Sequence, residues 1–112
     1  MSVGSEHKEI LGLVEKVKVR GKEILARIDT GARRCSIDKK LAKGLKLGPV
    51  IGNHKYRSAH GKSVRPVVIG EIELKGKKLI VKINLSDRRE MKYNFLVGRE
   101  ALKKGFLIDP SR

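Results

Sequence analysis

One cysteine, no tryptophan and four aromatic residues among 112 set the first limits on this chain. Cys35 alone can form no internal disulfide, and its spacing from His7, His54 and His60 matches no zinc motif. The fold must therefore rest on packing, and no metal or cofactor is expected. Tyr56, Tyr93, Phe95 and Phe106 are too few and too scattered for the base-stacking platform of a single-strand nucleic-acid binder, so nucleic acid is not the favoured partner. No apolar run approaches the roughly 18–20 residues of a membrane helix, and residues 1–9 lack the apolar stretch of a secretion signal. No membrane partner is expected, and the expected location is the cytoplasm. Acidic groups are also scarce: 12 Asp and Glu stand against 27 Lys and Arg, a net charge of +15. A chain of this length suits one domain, and 39% hydrophobic residues are enough to give it a core.

The positive charge is uneven. Residues 1–28 carry six basic and four acidic groups, residues 29–66 ten and two, and residues 67–112 eleven and six. The middle third holds over half of the excess, and a field of that sign concentrates anions. An acidic protein or peptide is the expected partner. The plainer reading of the lysines is that they keep a small β protein soluble and blunt its sheet edges.

Period-2 apolar patterns dominate, which predicts a mainly β domain of about eight strands and two short helices over residues 9–112, with residues 1–8 frayed. Segments 9–19 and 23–28 around Arg20-Gly21-Lys22 read as one hairpin, and 72–74 and 79–85 around Lys75-Gly76-Lys77 as another. A third, projecting hairpin is predicted from 56–57 and 64–69, with Pro66 placing its second arm at a sheet edge. Asp38 can cap a short helix that Gly44 stops, and residues 98–104 form a second helix stopped by Gly105.

Gly61-Lys62-Ser63 imitates the end of a phosphate-binding loop. Tyr56 stands where that motif needs glycine, however, and a β-like run follows where it needs a helix, so the tripeptide reads as a turn. Cys35 has no base nearby in sequence and reads as a half-buried structural residue. Two stretches carry more information: Ala26-Arg27-Ile28-Asp29-Thr30-Gly31-Ala32, and Asn94-Phe95-Leu96-Val97-Gly98-Arg99-Glu100-Ala101-Leu102. The first puts a carboxylate on a tight turn at the end of an apolar strand, and Gly31 permits close backbone approach there. The second supplies a strand to run beneath that turn and a glycine where the chain bends past it.

Together the two stretches resemble the retropepsins, small dimeric aspartic proteases with a closed β-barrel. A wider resemblance runs from about Ile10 to Pro110. Arg65-Pro66-Val67-Val68, Leu85-Ser86-Asp87-Arg88-Arg89-Glu90-Met91-Lys92-Tyr93 and Phe106-Leu107-Ile108-Asp109-Pro110 are similar to the RimK-associated, so-called ATP-dependent zinc protease family. That resemblance implies a retropepsin-like homodimer that trims glutamate tails from a ribosomal protein, with an ATP-grasp ligase that adds the tails as a further partner. Many members have a small hydroxyl residue and a histidine after the aspartate turn, where this chain reads Cys35-Ser36-Ile37-Asp38.

The resemblance implies an aspartic endopeptidase with Asp29, Thr30 and Gly31 as its catalytic turn. Gly98 and Arg99 are then structural, with Arg99 paired to a carboxylate near the dimer contact. The hairpin around Ser58, Ala59, His60 and Gly61 becomes a flap over the substrate. The charge excess adds Arg33, Arg34, Lys62 and Arg65 as groove residues that grip acidic side chains, with Ala32 beside them. A non-catalytic basic β module that binds acidic peptide, RNA or the ribosome is the alternative, and a metallopeptidase is a third reading with little in the sequence to support it.

Overall fold

The computed structural model describes residues 7–59 and 61–112, so part of the predicted frayed segment and His60 lie outside the described residues. The described residues form nine strands and two short helices: β1 Glu9–Leu11, β2 Val14–Val19, β3 Lys22–Ile28, β4 Cys35–Asp38, α1 Lys39–Gly44, β5 Val50–Ser58, β6 Gly61–Leu74, β7 Lys77–Ser86, β8 Phe95–Val97, α2 Arg99–Leu102 and β9 Phe106–Ile108. Seven strands form one sheet in the order β2-β3-β8-β4-β7-β6-β5. Additional pairing of β2 with β6, with Val17 opposite Leu74 and Val19 opposite Ile72, joins the two ends of a six-strand run and closes the barrel. The predicted mainly β, closed-barrel class is what the chain adopts.

Alternation decides which side chains enter the barrel. In β3, Ile24, Ala26 and Ile28 are buried and the residues between them exposed; in β7 the same holds for Leu79, Val81 and Ile83. With Val17, Val19, Val68, Ile72, Leu74, Phe95 and Val97 they make a single core. Each Val, Leu, Ile and Phe among them contributes roughly 1.5–3 kcal/mol on full burial.

Two tight turns fix the register. Arg20 and Gly21 join β2 to β3, and Lys75 and Gly76 join β6 to β7; all four have positive φ, as a two-residue turn matched to strand twist requires. Both hairpins were expected, but the first is shorter than predicted. Residues 9–19 break at Gly12, whose N–H donates to Glu15 Oε2 at 2.6 Å, and β1 leaves to pair in parallel with β9.

Other boundaries also differ from expectation. The runs 64–69 and 72–74 belong to one continuous strand, β6, because Gly70 keeps its place in the ladder opposite Val81. β6 lies inside the sheet, with one qualification that explains Pro66. Pairing with β7 starts at Val67, so residues 61–66 bond only to β5, and the proline sits where one side of the strand is open. The hairpin β5–β6 thus projects from the barrel. Asp38 caps helix α1 as expected, but the helix runs through Gly44, and the left-handed residue after it is Lys46. Strand β4 was not expected at all; all four of its residues are buried, and such a strand shows no alternation.

Candidate active site

Ile28 ends β3 beside Val97, and the pairing continues one step further as Asp29 N donates to Val97 O at 2.9 Å. The chain then turns sharply. Gly31 N donates to Asp29 Oδ1 at 2.8 Å and Ala32 N to Asp29 O at 3.2 Å, which fixes the carboxylate over its own turn. A Cβ at position 31 would stand 3.1 Å from Asp29 Oδ1, a tight contact that glycine avoids.

The second stretch locks the turn from below. A Cβ on Gly98 would run into the carbonyls of Arg34 and Ala32. With glycine there, the chain approaches closely enough for Arg99 N to donate to Ala32 O at 2.8 Å and Glu100 N to Arg33 O at 2.9 Å. Helix α2 therefore uses its free first-turn N–H groups on the 30–33 segment. Arg99 Nη1 donates to Thr30 O at 2.9 Å, so within the chain its partner is a backbone carbonyl of the turn. Thr30 contributes through that carbonyl, and its side chain is exposed.

Cys35 is completely buried behind this junction, where a half-buried residue was expected. Burial pushes its thiol up to about 11, partly offset by the Gly98 N–H, and the Glu100 charge pushes it further the same way. A thiol so placed stays protonated at neutral pH and is no nucleophile. The histidines are dispersed: His7 is exposed and pairs with Glu9 at 2.6 Å, whereas His54 lies on β5 opposite Arg65. Among the described residues no three metal-ligating side chains gather.

Of the predicted groove cations, three meet. Arg33, Arg34 and Arg65 line one small cavity together with Ala32, and Arg88 joins them. Lys62 does not; it lies further out on the hairpin, opposite Arg57, in a separate hollow with Lys55. Arg33 Nε bonds Glu100 Oε2 at 3.1 Å, an exposed pair. Ala59 is exposed at the tip of the hairpin, and Gly61 there has a φ of 112°.

The sequence reading missed Arg88, His54, Ser36 and Asn84 in this wall. Arg88 is held by its backbone and its side chain at once: its N–H donates to Asp38 Oδ1 at 2.8 Å and its Nε to Tyr93 O at 3.0 Å. Burial, then the Arg65 cation, lowers its proton affinity, while the carboxylates of Asp29 and Asp38 act in the opposite sense. Asp29 and this arginine therefore feel each other's charge. The buried polar residues of the described chain, Ser36, Asp38, Ser86 and Arg88, are neighbours on the β4–β7 side of the barrel, with Ser36 and Ser86 sharing a 2.8 Å hydrogen bond.

Comparison with known proteins agrees with the fold. Residues 35–112 match the model of the RimB-like family, described as retropepsin-like aspartic endopeptidase RimB; the match begins after the Asp29 turn. A protein of unknown function from Legionella pneumophila is 22% identical with a TM-score of 0.66, over 93% of this chain and 95% of that one. The simian foamy virus protease is 16% identical with a TM-score of 0.65, over 80% of this chain and 91% of its own. Over 63 residues the chain is 36% identical to a protein of Shewanella pealeana named probable alpha-L-glutamate ligase, a match covering 55% of this chain and 14% of that protein.

Proposed function

The chain belongs to the RimB-like family of retropepsin-like aspartic endopeptidases, and from that premise we propose that it is an aspartic endopeptidase active as a homodimer on acidic, glutamate-tailed protein substrates. The observation that carries this reading is the Asp29 turn, bonded to Val97 and clamped through Gly98 and Arg99. One chain supplies one such carboxylate, and the chemistry needs two. In the dimer the Asp29 carboxylates of both subunits face each other about 3 Å apart, where two negative charges are not tolerated and one proton is shared. The ionised member takes a proton from a water molecule, and the water oxygen attacks the scissile carbonyl. The protonated member stabilises the resulting oxyanion. Collapse of the tetrahedral species breaks the C–N bond, and the amine leaves with the transferred proton.

Thr30 and Gly31 hold the turn, and the hairpin residues Ser58, Ala59, His60, Gly61 and Lys62 close over the substrate to exclude water. Ala32, Arg33, Arg34 and Arg65 form the groove wall that prefers acidic side chains. The match to a segment of a protein named for glutamate ligation supports glutamate as the substrate chemistry, with a glutamylated ribosomal protein as target and an ATP-grasp ligase as functional partner. A cytoplasmic location fits such a target.

Mass spectrometry of a glutamate-tailed peptide incubated with wild type and with Asp29→Asn tests the reading. The expected result is cleavage by wild type, insensitive to chelator, with a loss of roughly 10²–10⁴-fold in the variant. No cleavage by either protein would leave the alternative, a basic β module that binds acidic peptide, RNA or ribosome without cutting, and equal cleavage by both would remove Asp29 from the chemistry.

A further inference from the structure

The cavity beside the Asp29 turn is small, about 160 Å³. Sites for drug-sized ligands run to roughly 300–1,000 Å³, whereas a water molecule takes about 30 Å³. A single side chain fits the space, and a drug-sized molecule does not. Four arginines line it, Arg33, Arg34, Arg65 and Arg88, with Ser36 and Asn84 as neutral polar groups. Guanidinium groups present paired N–H donors that match a carboxylate in plane.

Two buried atoms in that wall lack a hydrogen-bond partner, Arg34 Nε and Asn84 Oδ1. Glu100 Oε2 stands 3.9 Å from Arg34 Nε, close enough for charge attraction but too far for a hydrogen bond. Buried polar groups are normally satisfied, so an unmet donor and an unmet acceptor in the wall of one cavity are a site for something that supplies both. An acidic residue of a peptide does so: its carboxylate accepts, and its backbone N–H donates. Ala32 connects the cavity to the carboxylate turn, because it both lines the cavity and closes the turn onto Asp29 O.

We infer that this cavity is a carboxylate subsite, which takes the side chain of one glutamate or aspartate of the peptide whose scissile bond lies at Asp29, with Arg88 as its buried specificity residue beside Arg34 and Arg65. The inference rests on the peptidase reading for the placement of the peptide, and on the cavity alone for the preference. Arg88 is suited to the role because Asp38 and the Tyr93 carbonyl already fix its position, so little freedom is lost on binding.

Fluorescence anisotropy with Asp29→Asn protein separates binding from cutting, using a labelled glutamate peptide and its matched glutamine peptide. The glutamate peptide is expected to bind at least about tenfold more tightly. Arg88→Gln and, on the projecting hairpin, Arg65→Gln are each expected to reduce that preference about tenfold or more, with melting temperature as the check on folding. If Arg88→Gln does not fold, Arg65→Gln decides. Folded variants that keep the preference overturn the subsite. Cleavage of both peptides at equal rates by wild type overturns it too and leaves the peptidase intact. Cleavage of neither, with the preference present and lost in the variants, supports the subsite and removes the peptidase reading.

Discussion

Asp38 accepts the backbone N–H of Arg88 at 2.8 Å across a sequence separation of 50 residues, and its other carboxylate oxygen accepts from Leu41 N at 3.3 Å. One side chain thus caps helix α1 and holds the loop that aims Arg88 into the cavity. Burial alone would push the Asp38 carboxyl up, but the N–H groups of Arg88, Leu41 and Lys40 outweigh it and hold the carboxyl below its usual range.

Asp38→Ala should therefore lower stability by about 2–4 kcal/mol, the combined loss of a helix cap and of a partner for a buried N–H. Asp38→Asn should cost less, because its amide oxygen still accepts one of the bonds. The sign with pH follows from the lowered value: the ionised carboxylate stabilises the fold above the unfolded pKa near 4, and that stability is lost as pH falls through the folded value. Urea unfolding of wild type and Asp38→Asn should differ most at neutral pH and converge in strong acid. A difference that persists in strong acid would show that the charge is not what matters.

The close contact under the Asp29 turn gives a sharper test of geometry. Gly98→Ala puts a methyl group against the Arg34 and Ala32 carbonyls, the second of which is held by Arg99 N. The expected cost is about 1–3 kcal/mol in chemical unfolding, with peptidase activity falling further than stability because the displaced segment carries Asp29. An unchanged melting curve would contradict the packing described here.

Where the sequence was readable, one local signal sufficed. Arg20-Gly21 and Lys75-Gly76 between alternating runs identify their hairpins, because a two-residue turn demands positive φ and glycine supplies it. The Asp29 turn and the Gly98 strand were legible as a pair because each motif has its own residue chemistry. Strand β4 was not, since a segment buried on both faces has no period. Arg88 was not either: an arginine between Asp87 and Arg89 reads as a solvated loop residue, and only the distant Asp38 turns its backbone inward. The cavity is assembled from β4, β5, β6, β7, β8, the turn after β3 and the loop after β7, so no window of sequence contains it.

Glu100 tempers the cationic wall through Arg33 at 3.1 Å and Arg34 at 3.9 Å. An exposed pair of this kind contributes about 0–1 kcal/mol to stability. Glu100→Gln should thus leave the melting temperature nearly unchanged while it raises affinity for an acidic peptide several-fold at low salt. The gain should shrink as ionic strength rises, because screening weakens the field that causes it. Titration of a glutamate peptide at two salt concentrations measures both effects; a lower affinity in the variant would mean that Glu100 positions the arginines rather than competing for them.

Cys35 makes the fold sensitive to alkali. Its thiol is pushed up to about 11 from an ordinary value of 9.0, chiefly by burial, so the unfolded chain loses this proton at a lower pH than the folded one. Between those two values the unfolded state binds fewer protons, and stability must fall as pH rises. The contribution is fully present below about pH 9 and reaches a loss of about 2–3 kcal/mol by pH 11. Cys35→Ala removes this component and leaves the lysines and tyrosines as they are. The difference in unfolding free energy between wild type and Cys35→Ala should therefore be constant at neutral pH and narrow between pH 9 and 11. Alkylation gives an independent readout, since iodoacetamide should modify the native protein only at the rate of its opening and the urea-unfolded protein at once. Rapid modification of the native protein at pH 8 would mean that the thiol is reachable, and would undo both the burial and the pH argument built on it.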